Sequence, residues 1–255
     1  MPSVTIITGA SAGLGVEFAK QLAAQHVSLM LVARRGDRLE ALAKELQAKH
    51  KIEVFTEALD LSAPGAVPKL MTAIAKRNLT IDGLINNAGF GLKGEFAQQD
   101  ISRLLQMINL NCTALVELTH AVLPGMVARK SGAILNVAST AAFQAGPLMA
   151  IYYASKAFVL SFSEALHDDM KPHGIHVSCL CPGATETEFG AVAQVTKTML
   201  FKGAGGPEKV VSDGLAALKA NKAIAVSGLA HKTFVLGTRL LPRSLTRKIA
   251  HTMQK

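Results

Sequence analysis

Val4-Thr-Ile-Ile-Thr-Gly-Ala-Ser-Ala-Gly-Leu-Gly15 is the stretch that decides the fold. The β-branched apolar run Val4–Thr8 reads as a buried strand, and Gly13–Ala24 as a helix. Between and just after them stand Gly9, Gly13 and Gly15, in a TGxxxGxG spacing that also holds Ser11 and Leu14. Without a Cβ the backbone can turn sharply and let a pyrophosphate approach. The amide N–H groups and the dipole of a helix start then favour the anion. Alone, three such glycines also suit a tight strand-to-helix turn that binds nothing.

The alternation continues outward from this turn. Apolar runs at Ser28–Ala33, Ile52–Glu57, Ala133–Ala138, Ile175–Cys181 and Ala223–Ser227, with one ending at Leu84–Asn86, read as further strands. Helical spacing fills the gaps: 37–50, 66–77, one long helix over 101–129, then 151–170 and 207–220, with a helical tail around Pro242. Strands separated by helices imply right-handed crossovers, and continuously apolar strands imply a sheet covered on both faces. No Pro/Gly/Ser-rich linker interrupts the order. The expectation is α/β: a single doubly wound domain over 1–255, with a mostly parallel seven-stranded sheet. Residues 184–206 are expected to form a substrate lid, and 229–255 a basic helical extension.

Composition narrows the functional classes. With 49% apolar and 18% charged residues the chain can bury a core, which excludes intrinsic disorder. The formal charge of +9 is not spread evenly. Residues 1–213 hold 19 basic and 18 acidic side chains, whereas 214–255 hold eight basic and no acidic ones. No nucleic-acid motif accompanies that tail, so no nucleic acid is expected. A solvated helical face is its plainer reading; weak contact with an anionic membrane surface, or with an acidic partner, is the sharper one. Three cysteines without a CxxC pair suit a reducing compartment, the cytoplasm, rather than a disulfide framework. The histidines show no ligand spacing, so no metal is expected. The uncharged run Ser131–Ser155 contains Asn136, Ser139, Gln144 and Pro147, too polar and broken for a bilayer core.

Further motifs agree with the glycine turn. Asp60-Leu61 follows the third strand, Asn86-Asn87-Ala88-Gly89 closes the fourth, and Pro182-Gly183 follows the sixth. Ser139 stands thirteen residues before Tyr152, which opens Tyr-x-x-x-Lys156. In this order and spacing the chain resembles the short-chain dehydrogenase/reductase family, in its compact TGxxxGxG and YxxxK subgroup, over roughly residues 3–190. The resemblance implies a Rossmann domain and an oxidoreductase catalytic set of Ser139, Tyr152, Lys156 and Asn111. Asn109 lies two residues before Asn111; counting back from Leu-Pro-Gly-Met at 123–126 favours Asn111. Asp60 is implied at the adenine amino group and Thr187, with Thr185 nearby, at the nicotinamide amide. Lys156 is implied at the nicotinamide ribose and Asn111 beside a proton-relay water. Long fourth and fifth helices imply a homodimer or homotetramer.

The chemistry of these residue types is consistent with that role. Carbonyl reduction needs a hydride at carbon, which a nicotinamide supplies, and a proton at oxygen, which the protein supplies. Tyr152 and Lys156 are one helical turn apart and share a face. A phenol of pKa about 10 exchanges its proton poorly near neutrality, and a nearby ammonium is expected to lower that value. Ser139 can donate a hydrogen bond to the substrate oxygen as charge builds there. The second strand ends Ala33-Arg34-Arg35, without the acid that NAD-preferring folds place for the ribose 2′-hydroxyl. Two guanidiniums suit a 2′-phosphate, Arg34 foremost and Arg35 helping, so the cofactor is expected to be NADP(H). Ala141, Phe143, Leu148, Phe189, Met199 and Phe201 are expected to line a pocket for a hydrophobic carbonyl or 3-oxoacyl substrate. The competing readings are a non-catalytic NADP(H)-binding regulator and a membrane-surface protein on the same fold.

Overall fold

Strand side chains alternate between two helical layers, which is why the central strands are apolar on both faces. In β1 (Ser3–Thr8), Ile7 faces one layer while Val4 and Ile6 face the other, and all three are fully buried. β2 (Leu29–Ala33) divides in the same way, Leu29 and Leu31 to the first layer, Met30 and Val32 to the second. The computed structural model describes residues 2–196 and 205–254. In it these two strands join β3 (Val54–Ala58), β4 (Thr80–Asn86), β5 (Gly132–Val137), β6 (Ile175–Cys181) and β7 (Ile224–Val226). The seven form one sheet in the order β3-β2-β1-β4-β5-β6-β7, and every neighbouring pair is parallel.

Helices α1 (Gly13–Ala24), α2 (Gly36–His50) and α8 (Pro207–Lys219) cover the first face through Phe18, Leu39, Leu46 and Val211. The second face is covered by α3 (Ala66–Lys76), α5 (Ala114–Arg129) and α6 (Ala150–Met170), through Leu70, Leu118, Val122 and Leu166. Each fully buried side chain of this size contributes about 1.5–3 kcal/mol relative to exposure. From β1 the chain winds outward to β3, then returns to add β4 on the opposite side of β1. Crossovers diverge at that point and leave a crevice at the carboxyl ends of β1 and β4.

The helix expected over 101–129 runs continuously, with its α-helical stretches α4 (Ile101–Ile108) and α5 joined in line by a π-type turn at Asn109–Thr113. Apolar spacing continues through that turn, so periodicity alone hides a change in backbone bonding. By length and composition Ile101–Arg129 is the one stretch among the described residues able to cross a membrane. Here it packs Leu104, Met107, Leu115, Leu118 and Met126 into the protein. The basic tail forms two helices, α9 (Leu229–Leu240) and α10 (Arg243–Gln254), parted at Leu241 and Pro242.

A buried polar network ties the second helical layer to the sheet. Asn86 Nδ2 donates to Asn136 Oδ1 at 2.9 Å and to Thr119 Oγ1 at 3.1 Å. Asn136 Nδ2 donates in turn to Ser163 Oγ at 2.9 Å, and Ser163 Oγ to the Val159 carbonyl at 2.6 Å. β4, β5, α5 and α6 are thereby pinned in one register. The last of these carries the tyrosine and lysine of the site.

Candidate active site

The glycine turn is built as a cradle. Gly9 and Gly13 have φ of +67° and +53°, a region costly for other residues, and a Cβ on Gly15 would lie 2.2 Å from the Gly9 carbonyl oxygen. Gly15 is therefore needed for close packing of α1 on the turn. It does not line the cavity, whereas Gly9, Ser11, Gly13 and Leu14 do. Thr8 locks this turn to the fourth strand's exit: its Oγ1 accepts from Asn87 N at 3.0 Å and Ala88 N at 2.9 Å. Asn87 Nδ2 returns a bond to the Thr8 carbonyl at 2.8 Å.

A cavity of about 620 Å³ runs from this cradle across the carboxyl ends of the strands. At one end lie Arg34, Arg35, Asp60 and Leu61; along its floor Asn87, Ala88 and Gly89; at the other end Ser139, Ala141, Tyr152 and Lys156. Pro182, Gly183, Thr185, Thr187 and Phe189 close the remaining side. Residues distant in sequence are thus brought to one crevice. Arg34 is exposed and carries no ion pair among the described residues. Arg35 is occupied: its Nε donates to Ser11 Oγ at 3.2 Å and its Nη1 to Glu188 at 2.8 Å. Arg38 also reaches Glu188, at 2.6 Å, and Arg38 foremost with Arg35 holds that carboxyl below its ordinary pKa. Asp60 Oδ1 accepts from the backbone and hydroxyl of Ser62.

At the other end Tyr152 is buried on α6, lines the cavity beside Ser139 and packs 5.3 Å from the Phe189 ring. Ser139 follows β5, accepts from Ala141 N at 3.1 Å and donates to the Pro182 carbonyl at 3.4 Å. Lys156, also buried, donates to the Val137 carbonyl at 2.8 Å. Burial lowers its pKa to about 8, opposed only in part by the thiols of Cys179, Cys112 and Cys181. The expected depression of the Tyr152 pKa is not found. Burial raises it well above 10, Ser139 beside it opposes this only in part, and the Lys156 ammonium sits 6.0 Å from the ring centroid. Desolvation outweighs the cation at that separation, so the phenol holds its proton.

Of the two asparagines in the π-type turn, Asn111 is buried and Asn109 is exposed. Asn111 Oδ1 accepts from Phe90 N at 3.1 Å, and Nδ2 donates to the Phe90 carbonyl and Ser155 Oγ, both at 3.0 Å. A Cβ on Gly89 would come within 3.0 Å of Asn111 Oδ1 and 3.4 Å of Lys156 Nζ, so glycine is what admits both groups beside the floor.

Two pocket assignments fail. Phe143 points from the turn Thr140–Phe143 toward α9, beneath Arg239 at 6.0 Å, and Leu148 sits at φ +66° with its carbonyl bonded to Gly94 N. Neither lines the cavity. Met199 and Phe201 lie outside the described residues. Conversely, His231 and Phe234 of α9 and Met253 and Gln254 of α10 wall the cavity. The sequence reading left the extension outside the site, although Phe234 and Met253 fall on the inward face of amphipathic helices. Thr185 and Gly205 pair in a single bridge, with α7 (Glu188–Val192) between them in sequence.

The short-chain dehydrogenase family model matches residues 3–198. This chain belongs to that family. The family's human very-long-chain 3-oxoacyl-CoA reductase is 33% identical over 195 residues, covering 75% of this chain and 62% of the human protein. The chain thus spans about three fifths of the length of that relative. Sulfoacetaldehyde reductase of Chromohalobacter salexigens is 36% identical over 240 residues, 93% of this chain and 89% of that one. Among solved structures of the family, a short-chain dehydrogenase from Sphingobium yanoikuyae in complex with NADPH matches with a TM-score of 0.83 and 33% identity. That match covers 94% of each chain. The sheet order and the layered helices described above are those of the family fold.

Proposed function

We propose that the protein is an NADP(H)-dependent carbonyl reductase, with alcohol oxidation as the reverse reaction, acting on an apolar ketone or 3-oxoacyl substrate. One observation carries the reading: a buried Tyr152, one turn from Lys156, lines the same crevice as Ser139 and the glycine cradle. The cradle fits a dinucleotide, because two left-handed glycines turn the backbone at Gly9, Ser11, Gly13 and Leu14 onto the cavity, and Gly89 lets Asn111 and Lys156 approach its floor. Gly9, Ser11, Gly13 and Leu14 would hold the pyrophosphate, Asp60 and Leu61 the adenine, Asn87, Ala88 and Gly89 the middle, and Lys156 the nicotinamide ribose. When bound, such a cofactor supplies or accepts the hydride.

The chain's own residues do the rest. Tyr152 donates its proton to the substrate oxygen, and the raised pKa keeps that proton in place until charge develops there. Ser139, its oxygen held by the bond from Ala141 N, donates to that substrate oxygen once its single proton turns from the Pro182 carbonyl. Lys156 brings positive charge toward the phenolate that remains. Asn111 fixes the loop at Phe90 and the helix at Ser155, which holds the site's two walls together. Thr185 and Thr187, on the cavity wall, would partner the nicotinamide amide. Arg34, unpaired at the end of β2, is the cation for a 2′-phosphate, and Arg35 flanks it.

The substrate end favours an apolar carbonyl. Ala141, Met149, Phe189, Val192, Phe234 and Met253 line it, and among the described residues no Lys or Arg besides Lys156 does. A small sulfonate would lack a guanidinium to hold it. The outward apolar side chains Ile101, Leu105 and Phe158 of α4 and α6 suit contact between copies of the chain, hence a homodimer or homotetramer. The test is NADPH oxidation, followed by absorbance, with a medium-chain 3-oxoacyl thioester and with sulfoacetaldehyde. The reading expects turnover with the thioester at least tenfold more efficient; preference for the sulfonate would overturn the substrate assignment.

A further inference from the structure

Helices α9 and α10 each turn one side to the cavity and the other to solvent. Val235, Thr246 and Ala250 are buried, while the outward positions carry large apolar side chains that nothing described in the fold covers. Leu229 is 79% exposed, Leu240 76% and Leu236 58%, and Leu241, Leu245 and Ile249 continue the series past the Pro242 corner. Leu229, Leu236 and Leu240 recur at helical pitch, and Leu245 and Ile249 are one turn apart. Lys232, Arg239, Arg243, Arg247 and Lys248 are exposed among them, and residues 214–255 contain no carboxylate. Soluble helices keep charge on their outer face, but they do not need six leucines and isoleucines there. A second copy of the chain fits poorly. A two-fold contact through this corner would set five cations against the same five, with no acid on the patch to offset them.

We propose that the α9–α10 corner docks on an anionic lipid surface. Its leucines and isoleucine enter the boundary between headgroups and acyl chains, and its lysines and arginines hold the phosphates. Docking brings to the bilayer the same helices that contribute His231, Phe234 and Met253 to the cavity wall. The docking does not rest on the catalytic reading.

Removing the tail is a poor test, because Gln254 Nε2 donates to Tyr153 OH at 2.8 Å beside the site and truncation would disturb the pocket. Exposed side chains serve better. The full chain is sedimented with phosphatidylcholine vesicles, with and without phosphatidylglycerol. It should partition onto the phosphatidylglycerol vesicles and lose that partitioning as salt rises. Each cation near an anionic surface strengthens binding about fivefold, so the pair Arg243→Ala and Arg247→Ala should weaken it by at least about tenfold. The pair Leu236→Ser and Leu240→Ser should weaken it on both vesicle types, and Tyr152→Phe should bind as the parent does. Three results would overturn the proposal. These are no binding to phosphatidylglycerol vesicles, binding that neither pair changes, or an oligomer that the leucine pair dissociates without any vesicle binding.

Discussion

Lys156 is the residue at which burial and function pull hardest against each other. Its ammonium is enclosed by β5, β6 and α6, and burial lowers its pKa from 10.5 to about 8. The unfolded chain therefore holds a proton that the folded chain has partly released between these values, so folding gains stability as pH rises through that window. By the usual conversion the penalty below pH 8 is about 3 kcal/mol. Removing the charge in Lys156→Met should stabilise the dinucleotide-free protein at pH 7, offset by the lost bond to Val137. The gap in unfolding free energy should close between about pH 8 and 10.5, as urea titrations at several pH values would show; a gap independent of pH contradicts this. Arg34 supplies the second test at this scale. Arg34→Ala should reduce the preference for NADPH over NADH about tenfold to a hundredfold, the loss of one charge-assisted bond of about 1.5–3 kcal/mol. A change within twofold in the ratio of kcat/KM values contradicts the assignment. These two residues were legible in the sequence because spacing and position define them. The pKa of Tyr152 was not, because desolvation depends on how much protein surrounds the phenol, which no local spacing encodes.

At the scale of elements, close approach decides. A Cβ on Gly15 would meet backbone, the Gly9 carbonyl at 2.2 Å, and backbone cannot swing aside as a side chain can. Gly15→Ala should destabilise the protein by about 1–3 kcal/mol and weaken dinucleotide binding. Thermal unfolding and NADPH fluorescence titration check it. The network around Asn136 is the corresponding test for α6. Asn136→Ala leaves the Asn86 and Ser163 groups without their buried partner, at a cost of about 1–3 kcal/mol. It should also lower kcat with little change in dinucleotide affinity, since α6 carries Tyr152 and Lys156 while the cradle sits on β1 and α1. Strands and most helices were readable because period-two and period-3.6 patterns are direct consequences of geometry. The π-type turn was not: a shift of the hydrogen-bond ladder by one residue leaves the apolar positions looking continuous, and Asn111 inside it looked like an ordinary helical asparagine.

Across the whole molecule, the crevice exists because the chain reverses its winding between β3 and β4, bringing Gly9 and Tyr152 into one cavity. That much follows from the order of elements alone. The contribution of the C-terminal extension does not, because helices α9 and α10 reach the site through long-range docking, Gln254 against Tyr153 and His231 against Gly183. Phe143 was misplaced for the same reason: its partner, Arg239, comes from the extension. The account as a whole depends on the Tyr152 hydroxyl delivering the proton in a cavity whose other end holds the dinucleotide. NADPH titration and carbonyl turnover of Tyr152→Phe, measured beside the parent protein, test it most directly. The variant should bind NADPH within about twofold of the parent while losing at least about a hundredfold in kcat, the upper half of the range for one general acid. Undiminished turnover in a folded, NADPH-binding variant would contradict it.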